Sequence, residues 1–203
     1  MKSYVLSFAL AFCFQLTTVF GQSVAEDVSS YVNQLNQIST LTTVQKQEIS
    51  TLRTKYEKDL LALGSVDLDK KNQLLILFLQ KRENILEREQ RVAINAKEIT
   101  EKETEELKSI LSLDNNQFNV IHTDFSNFNT LLMNAKQAYA INSQEYLEVS
   151  TMIADRKFET INANCTVQQQ NHFKAHKDIY RKSISSFMTK YIYYNQDTKL
   201  VSR

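Results

Sequence analysis

No proline interrupts this chain of 203 residues, and it has only two glycines, Gly21 and Gly64. Tight hairpins need residues that accept a positive φ, and proline is the residue that most reliably ends a helix. A chain short of both has little means of turning a sheet. It is rich instead in Glu, Lys, Gln, Leu and Ala, which are good helix formers. The fold class expected is therefore all-α: an elongated antiparallel bundle of long helical hairpins, because short connections make neighbouring helices antiparallel.

Without breakers, helix boundaries have to be written in capping chemistry. An N-cap Ser, Thr, Asp or Asn accepts a bond from the third helical N–H, and a Gln or Glu at that third position bonds back to the cap. Thr42–Gln45, Thr100–Glu103 and Thr166–Gln169 are such boxes, with Asp114–Gln117 and Asn142–Glu145 close variants. Gly64-Ser65 reads as the end of one helix and the cap of the next. The expected map is a helix over about 24–38 and a second over 43–63. A third starts after Ser65 and reaches the region of Ala96, with a short piece over 101–111 read as its continuation. Helices over 115–140, 143–163 and 167–194 complete it.

The N-terminus has Lys2 followed by an apolar run from Tyr4 to Phe14, with small or modest residues at Val19-Phe20-Gly21. This is the pattern of a secretory signal, cut after Gly21. Gln15, Thr17 and Thr18 interrupt it too early for a spanning helix of about 20 apolar residues, so no membrane insertion of the mature chain is expected. Residues 22–195 then form a single helical domain and 196–203 a flexible tail. The expected location is secreted, with the bacterial periplasm favoured. The 24 basic residues include Lys2, so its loss leaves the chain balanced against its 23 acidic ones. A neutral protein has no global electrostatic reason to bind nucleic acid or an anionic membrane. Cys13 is in the signal, and Cys165 alone cannot make an internal disulfide. Asn164-Cys165-Thr166 fits a glycosylation pattern should the source be eukaryotic.

Three helix starts share more than a cap. Leu41, Gln45, Ile49, Tyr56 and Leu60 have the same spacing as Leu113, Gln117, Ile121, Phe128 and Leu132, and as Cys165, Gln169, Phe173, Tyr180 and Ile184. The last three positions of each set share one helix face. Leu41-Thr42-Thr43-Val44-Gln45 fits Leu-Thr-x-x-Gln, and Leu113-Asp114-x-x-Gln117 and Cys165-Thr166-x-x-Gln169 are degenerate copies of it. In this motif the chain resembles the Spy and CpxP family of periplasmic proteins. The resemblance implies a long-helix hairpin architecture that dimerises into a curved cradle, and an ATP-independent chaperone or envelope-stress regulator. Its partners would be non-native proteins or an envelope-sensor protein. The chain departs from the family in being longer and in lacking an overall positive charge.

Leu74–Leu79 is six consecutive apolar residues, read as a helix buried on all sides or as a partly exposed client-binding or dimer patch. The residues assigned to client contact are Leu77, Phe78, Phe125 and Phe128. Phe118, Phe125 and Phe128 form one aromatic stripe, and Phe187, Tyr191 and Tyr194 a second; both read as core or as the lining of a ligand groove. The charged segment 81–108 reads as a solvated face supported by i,i+4 pairs. His172 and His176 stand one turn apart, as a metal-holding pair does, with Cys165 or His122 as a further ligand. Phe173 and Lys174 stand where a metalloprotease helix carries its glutamate, so protease chemistry is excluded. No glycine-rich phosphate loop or Gly-x-Ser-x-Gly elbow can be built from these glycines. The expectation is a non-enzyme without a cofactor. Two other classes stay open: a secreted helical carrier or structural coiled-coil protein, and a metal-responsive sensor.

Overall fold

The computed structural model describes residues 24–63 and 68–192, with side chains described as far as residue 181. Among the described residues every regular element is a helix. These are α1 over 24–38, α2 (Thr43–Leu63), α3 (Leu68–Ile85), α4 (Arg88–Leu111), α5 (Asn115–Ala138), α6 (Gln144–Asn164) and α7 (Val167–Ile192). The expected signal over 1–21, the tail over 196–203 and the Gly64-Ser65 junction lie outside the described residues, as do the side chains of Ile184, Phe187, Tyr191 and Tyr194.

The all-α expectation is met, and several boundaries fall where the caps put them. Helices α1 and α2 span the expected ranges, and α5 and α7 start directly after Asp114 and Thr166. The third and fourth helices differ. The break falls at Leu86-Glu87, and α4 then runs unbroken through Thr100. Thr100–Glu103 is therefore not a cap. Thr100 Oγ1 donates to the Ala96 carbonyl at 2.7 Å, and Thr104 Oγ1 donates to the Thr100 carbonyl at 2.8 Å. This is how a hydroxyl is satisfied inside a helix. At Asn142–Glu145 the cap is the next residue, Ser143, whose side chain accepts from the Tyr146 N–H.

The chain divides into two compact units, parting between Ile85 and Leu86, where the sequence suggests one domain. In the first unit α2 packs against α3, over a core of Val28, Val32, Leu35, Leu41, Ile49, Phe78 and Leu79. Arg82 is fully buried there, and its Nη1 donates to the Tyr31 hydroxyl at 2.7 Å. The Arg53 guanidinium lies over the Tyr31 ring at 4.6 Å and the Tyr56 ring at 5.1 Å and pairs with Glu57.

In the second unit α4 packs against both α5 and α7, and α5 against α6. Two clusters fill it. One holds Ile99, Leu132, Met133, Tyr146 and Ile153. The other holds Leu107, Ile121, Phe125, Ile161 and Phe173. Helix α4 ends at Ser112, which takes a left-handed φ of 50° and ψ of 49°, a position where helices usually place glycine. The charged segment 81–108 does present a solvated face, with Lys97–Glu101 and Lys102–Glu106 paired at i,i+4, but its other face buries Glu83, Gln90, Asn95, Thr100, Glu103 and Thr104.

Candidate functional site

Each Leu-x-x-x-Gln box is a working cap. Gln45 N–H donates to Thr42 Oγ1 at 3.2 Å and Thr42 N–H donates to Gln45 Oε1 at 3.0 Å. Asp114 with Gln117, and Thr166 with Gln169, repeat both bonds at 2.9–3.1 Å and 2.9–3.3 Å. The leading residues Leu41, Leu113 and Cys165 are all buried, which anchors the turn before each helix.

The glutamine amide does more than cap. Gln45 Nε2 donates to the carbonyl of Ile85, the last residue of α3, at 3.1 Å. Gln117 Nε2 donates to the carbonyl of Asn164, the last residue of α6, at 2.9 Å. Each glutamine thus fastens the base of the hairpin whose first helix it caps, using a carbonyl that a helix end leaves without an internal partner. In the second unit the fastening is doubled. Gln117 Nε2 donates to Gln169 Oε1 at 2.9 Å, and Gln169 Nε2 returns a bond to Gln117 Oε1 at 3.1 Å. Gln169 Nε2 also reaches the carbonyl of Leu111, the last residue of α4, at 3.1 Å. Four helix ends meet at two side chains. Each amide makes two donor and two acceptor bonds, which is all that an amide has.

The sequence pattern missed a fourth box. Leu86 is buried, and Glu87 N–H donates to Gln90 Oε1 at 2.8 Å, opening α4. Leu86-Glu87-Arg88-Glu89-Gln90 has the same frame, but glutamate is outside the usual N-cap set. The leucine and glutamine four apart were the available signal.

A second constellation was also invisible in sequence. Lys157 Nζ of α6 contacts both carboxylate oxygens of Glu103 on α4, at 2.8 and 2.6 Å, and donates to Asn129 Oδ1 on α5 at 2.7 Å. Asn129 Nδ2 donates to Glu103 Oε2 at 2.8 Å and to Thr100 Oγ1 at 3.0 Å. The Phe125 ring lies 5.1 Å from the ammonium. Lys157 has its three protons engaged and Glu103 is paired and hydrogen-bonded, which is the condition for keeping charges in a core. Burial, with the negative charges of Glu103 and Glu106, holds the Tyr180 hydroxyl well above the usual phenol range. These bonds tie α4, α5 and α6 together at one level of the second unit.

The four residues assigned to client contact divide. Leu77 is 49% exposed, Phe128 is half-buried, and Phe78 and Phe125 are core residues at 3% and 0%. Phe78 packs on Tyr31 and Tyr56, at 5.8 and 5.0 Å between centroids. Leu74–Leu79 is not buried all round, since only Phe78 and Leu79 are buried. The rings of His172 and His176 stack at 4.1 Å, and His176 Nδ1 meets the His172 carbonyl at 2.9 Å. Cys165 and His122 do not join them: among the described residues no three His, Cys, Asp or Glu side chains gather as metal ligands would. Cys165 is buried, and burial pushes its thiol up, away from the reactive thiolate. Asn164 Nδ2 donates to the Thr160 carbonyl at 2.9 Å. An open groove of about 700 Å³ follows the outer face of α6, past Leu147, Met152, Asp155 and Glu159. No helix among the described residues is long and apolar enough to cross a membrane.

No family model matches the chain, and no curated protein or solved structure matches it significantly.

Proposed function

We propose that this chain acts by binding, as a secreted helical protein that holds non-native clients or an envelope-sensor partner without ATP or a cofactor. The observation that carries the reading is the Leu-x-x-x-Gln box. It recurs at the hairpin bases, and its glutamine does the same job in both units, fastening the returning helix to the first. A repeated fastener holds together two-helix surfaces of mixed charge with single exposed apolar residues such as Leu77, Leu131, Leu147 and Met152. Surfaces of this kind suit weak contact with many sequences better than one shaped ligand. The Spy and CpxP resemblance points the same way, and on that reading the protein works in a bacterial periplasm.

The test is light scattering of a chemically denatured client diluted into buffer without ATP, across a range of ratios of the purified protein. Suppression near equimolar ratio supports the reading. Unchanged aggregation at large excess, for several unrelated clients, removes it and leaves the boxes as helix architecture.

A further inference from the structure

The two fastened hairpins can be laid over each other by their boxes. Hairpin α2–α3 opens after Leu41–Gln45 and runs into Leu86–Gln90. Hairpin α5–α6 opens after Leu113–Gln117 and runs into Cys165–Gln169. The glutamines are 45 residues apart in the first and 52 in the second. The extra seven are about two helical turns, and six of them are shared equally between the arms: α2 has 21 residues against 24 in α5, and α3 has 18 against 21 in α6, with the seventh in the connection. Adding a turn to both arms keeps an antiparallel pair in register. The closing bond is also the same, from the first glutamine to the last carbonyl of the returning helix.

The copies differ in how far burial extends from that base. In α5–α6 buried side chains continue to the far end, through Asn129, Leu132 and Met133 to Ile141 and Tyr146. In α2–α3 the buried residues are Gln45 and Ile49 on one helix and Phe78, Leu79, Arg82 and Glu83 on the other. Beyond them, none of the described residues between 50 and 77 is buried. Leu60, Leu74 and Leu75 are half-buried, while Leu61, Leu68 and Leu77 are exposed. Few buried contacts and exposed backbone hydrogen bonds place a segment at the low end of local stability.

We infer that the chain holds two unequal copies of one clasped hairpin, and that the first, α2–α3, is an arm whose distal half opens while the Gln45 clasp holds its base. Opening bares Leu74, Leu75 and Ile76 beside the already exposed Leu77 and leaves the core at Phe78 and Leu79 closed. The device does not depend on what the chain binds.

Hydrogen–deuterium exchange of the full chain, read by mass spectrometry, tests it. Amides within 50–63 and 68–77 should exchange at least about tenfold faster than those within 121–135 and 146–161, after correction for intrinsic rates. Replacing Gln45→Leu keeps the volume but removes both the clasp bond and the cap bond from Thr42 N–H, so the clasp is read on the partner helix, where exchange over 78–85 should speed about tenfold while α5–α6 is unchanged. Equal protection of the two hairpins in the wild-type chain overturns the inference, and that comparison stands even if the variant fails to fold. Unchanged exchange at the base in a folded Gln45→Leu variant overturns the clasp.

Discussion

A residue with a Cβ pays about 1–2 kcal/mol to sit in the left-handed helical region, and Ser112 sits there to end α4. Replacing Ser112→Gly should therefore raise the unfolding free energy by about 0.5–1 kcal/mol, the relief being offset in part by the freer unfolded glycine. Urea denaturation followed by helical ellipticity checks this, and a loss of stability would refute it. Lys157 is a case of the opposite kind. A Lys157→Met change leaves the Glu103 carboxylate buried without its partner and should cost about 3–5 kcal/mol. The double variant Glu103→Leu, Lys157→Met should be distinctly more stable than the single one, because the stranded charge is gone. Tyr180 predicts a pH effect. Its hydroxyl is raised in the folded chain above the ordinary 10.0, so the folded state prefers the neutral phenol. That stabilisation is complete below the unfolded value and is lost as pH climbs above it. Stability should fall more steeply above about pH 10 in the wild type than in Tyr180→Phe, as melting across an alkaline series would show.

At the scale of elements, helix ends are coupled in pairs. Gln117 and Gln169 exchange bonds and each holds a foreign carbonyl, so either single change to Leu strands polar groups on the other. Each should cost about 2 kcal/mol, and the double change less than their sum. A double-mutant cycle in urea measures the difference, and strict additivity would mean that the two amides act independently. The elements also show what sequence could convey. The starts of α2, α5 and α7 were legible because a cap and its reciprocal partner lie three residues apart. Thr100–Glu103 carries the same letters and caps nothing. There the deciding facts are burial of Ala96, Ile99 and Leu107 and the pull of Lys157 on Glu103, from 54 residues away. Glu87 caps α4 with an uncommon residue, so that boundary went unread.

For the whole molecule, absence of breakers settled the fold class, and nothing local revealed the parting at Ile85. Both large apolar clusters belong to residues beyond it. Expressed alone, residues 86–203 should fold as a helical unit with a cooperative thermal transition, as circular dichroism would show; a broad, non-cooperative melt would count against it. The candidate site was half legible. The caps were visible, but the other half of each amide was not, because a carbonyl at a helix end has no sequence signature. Apolar periodicity marked Phe78 and Phe125 well enough, but it could not say whether their stripes faced a core or a client.

The four boxes have a consequence for how this chain varies. Proline breaks a helix through its own backbone, whereas a glutamine stop works only while its hydrogen bonds are intact. Around Leu86–Gln90 the residues on both sides are good helix formers, so the stop there is a switch thrown by two side chains. Without it, no proline or glycine is left there to mark where α3 ends. A lineage of such chains can lengthen, join or split its helices by single substitutions, and its architecture is edited by punctuation while the words stay the same.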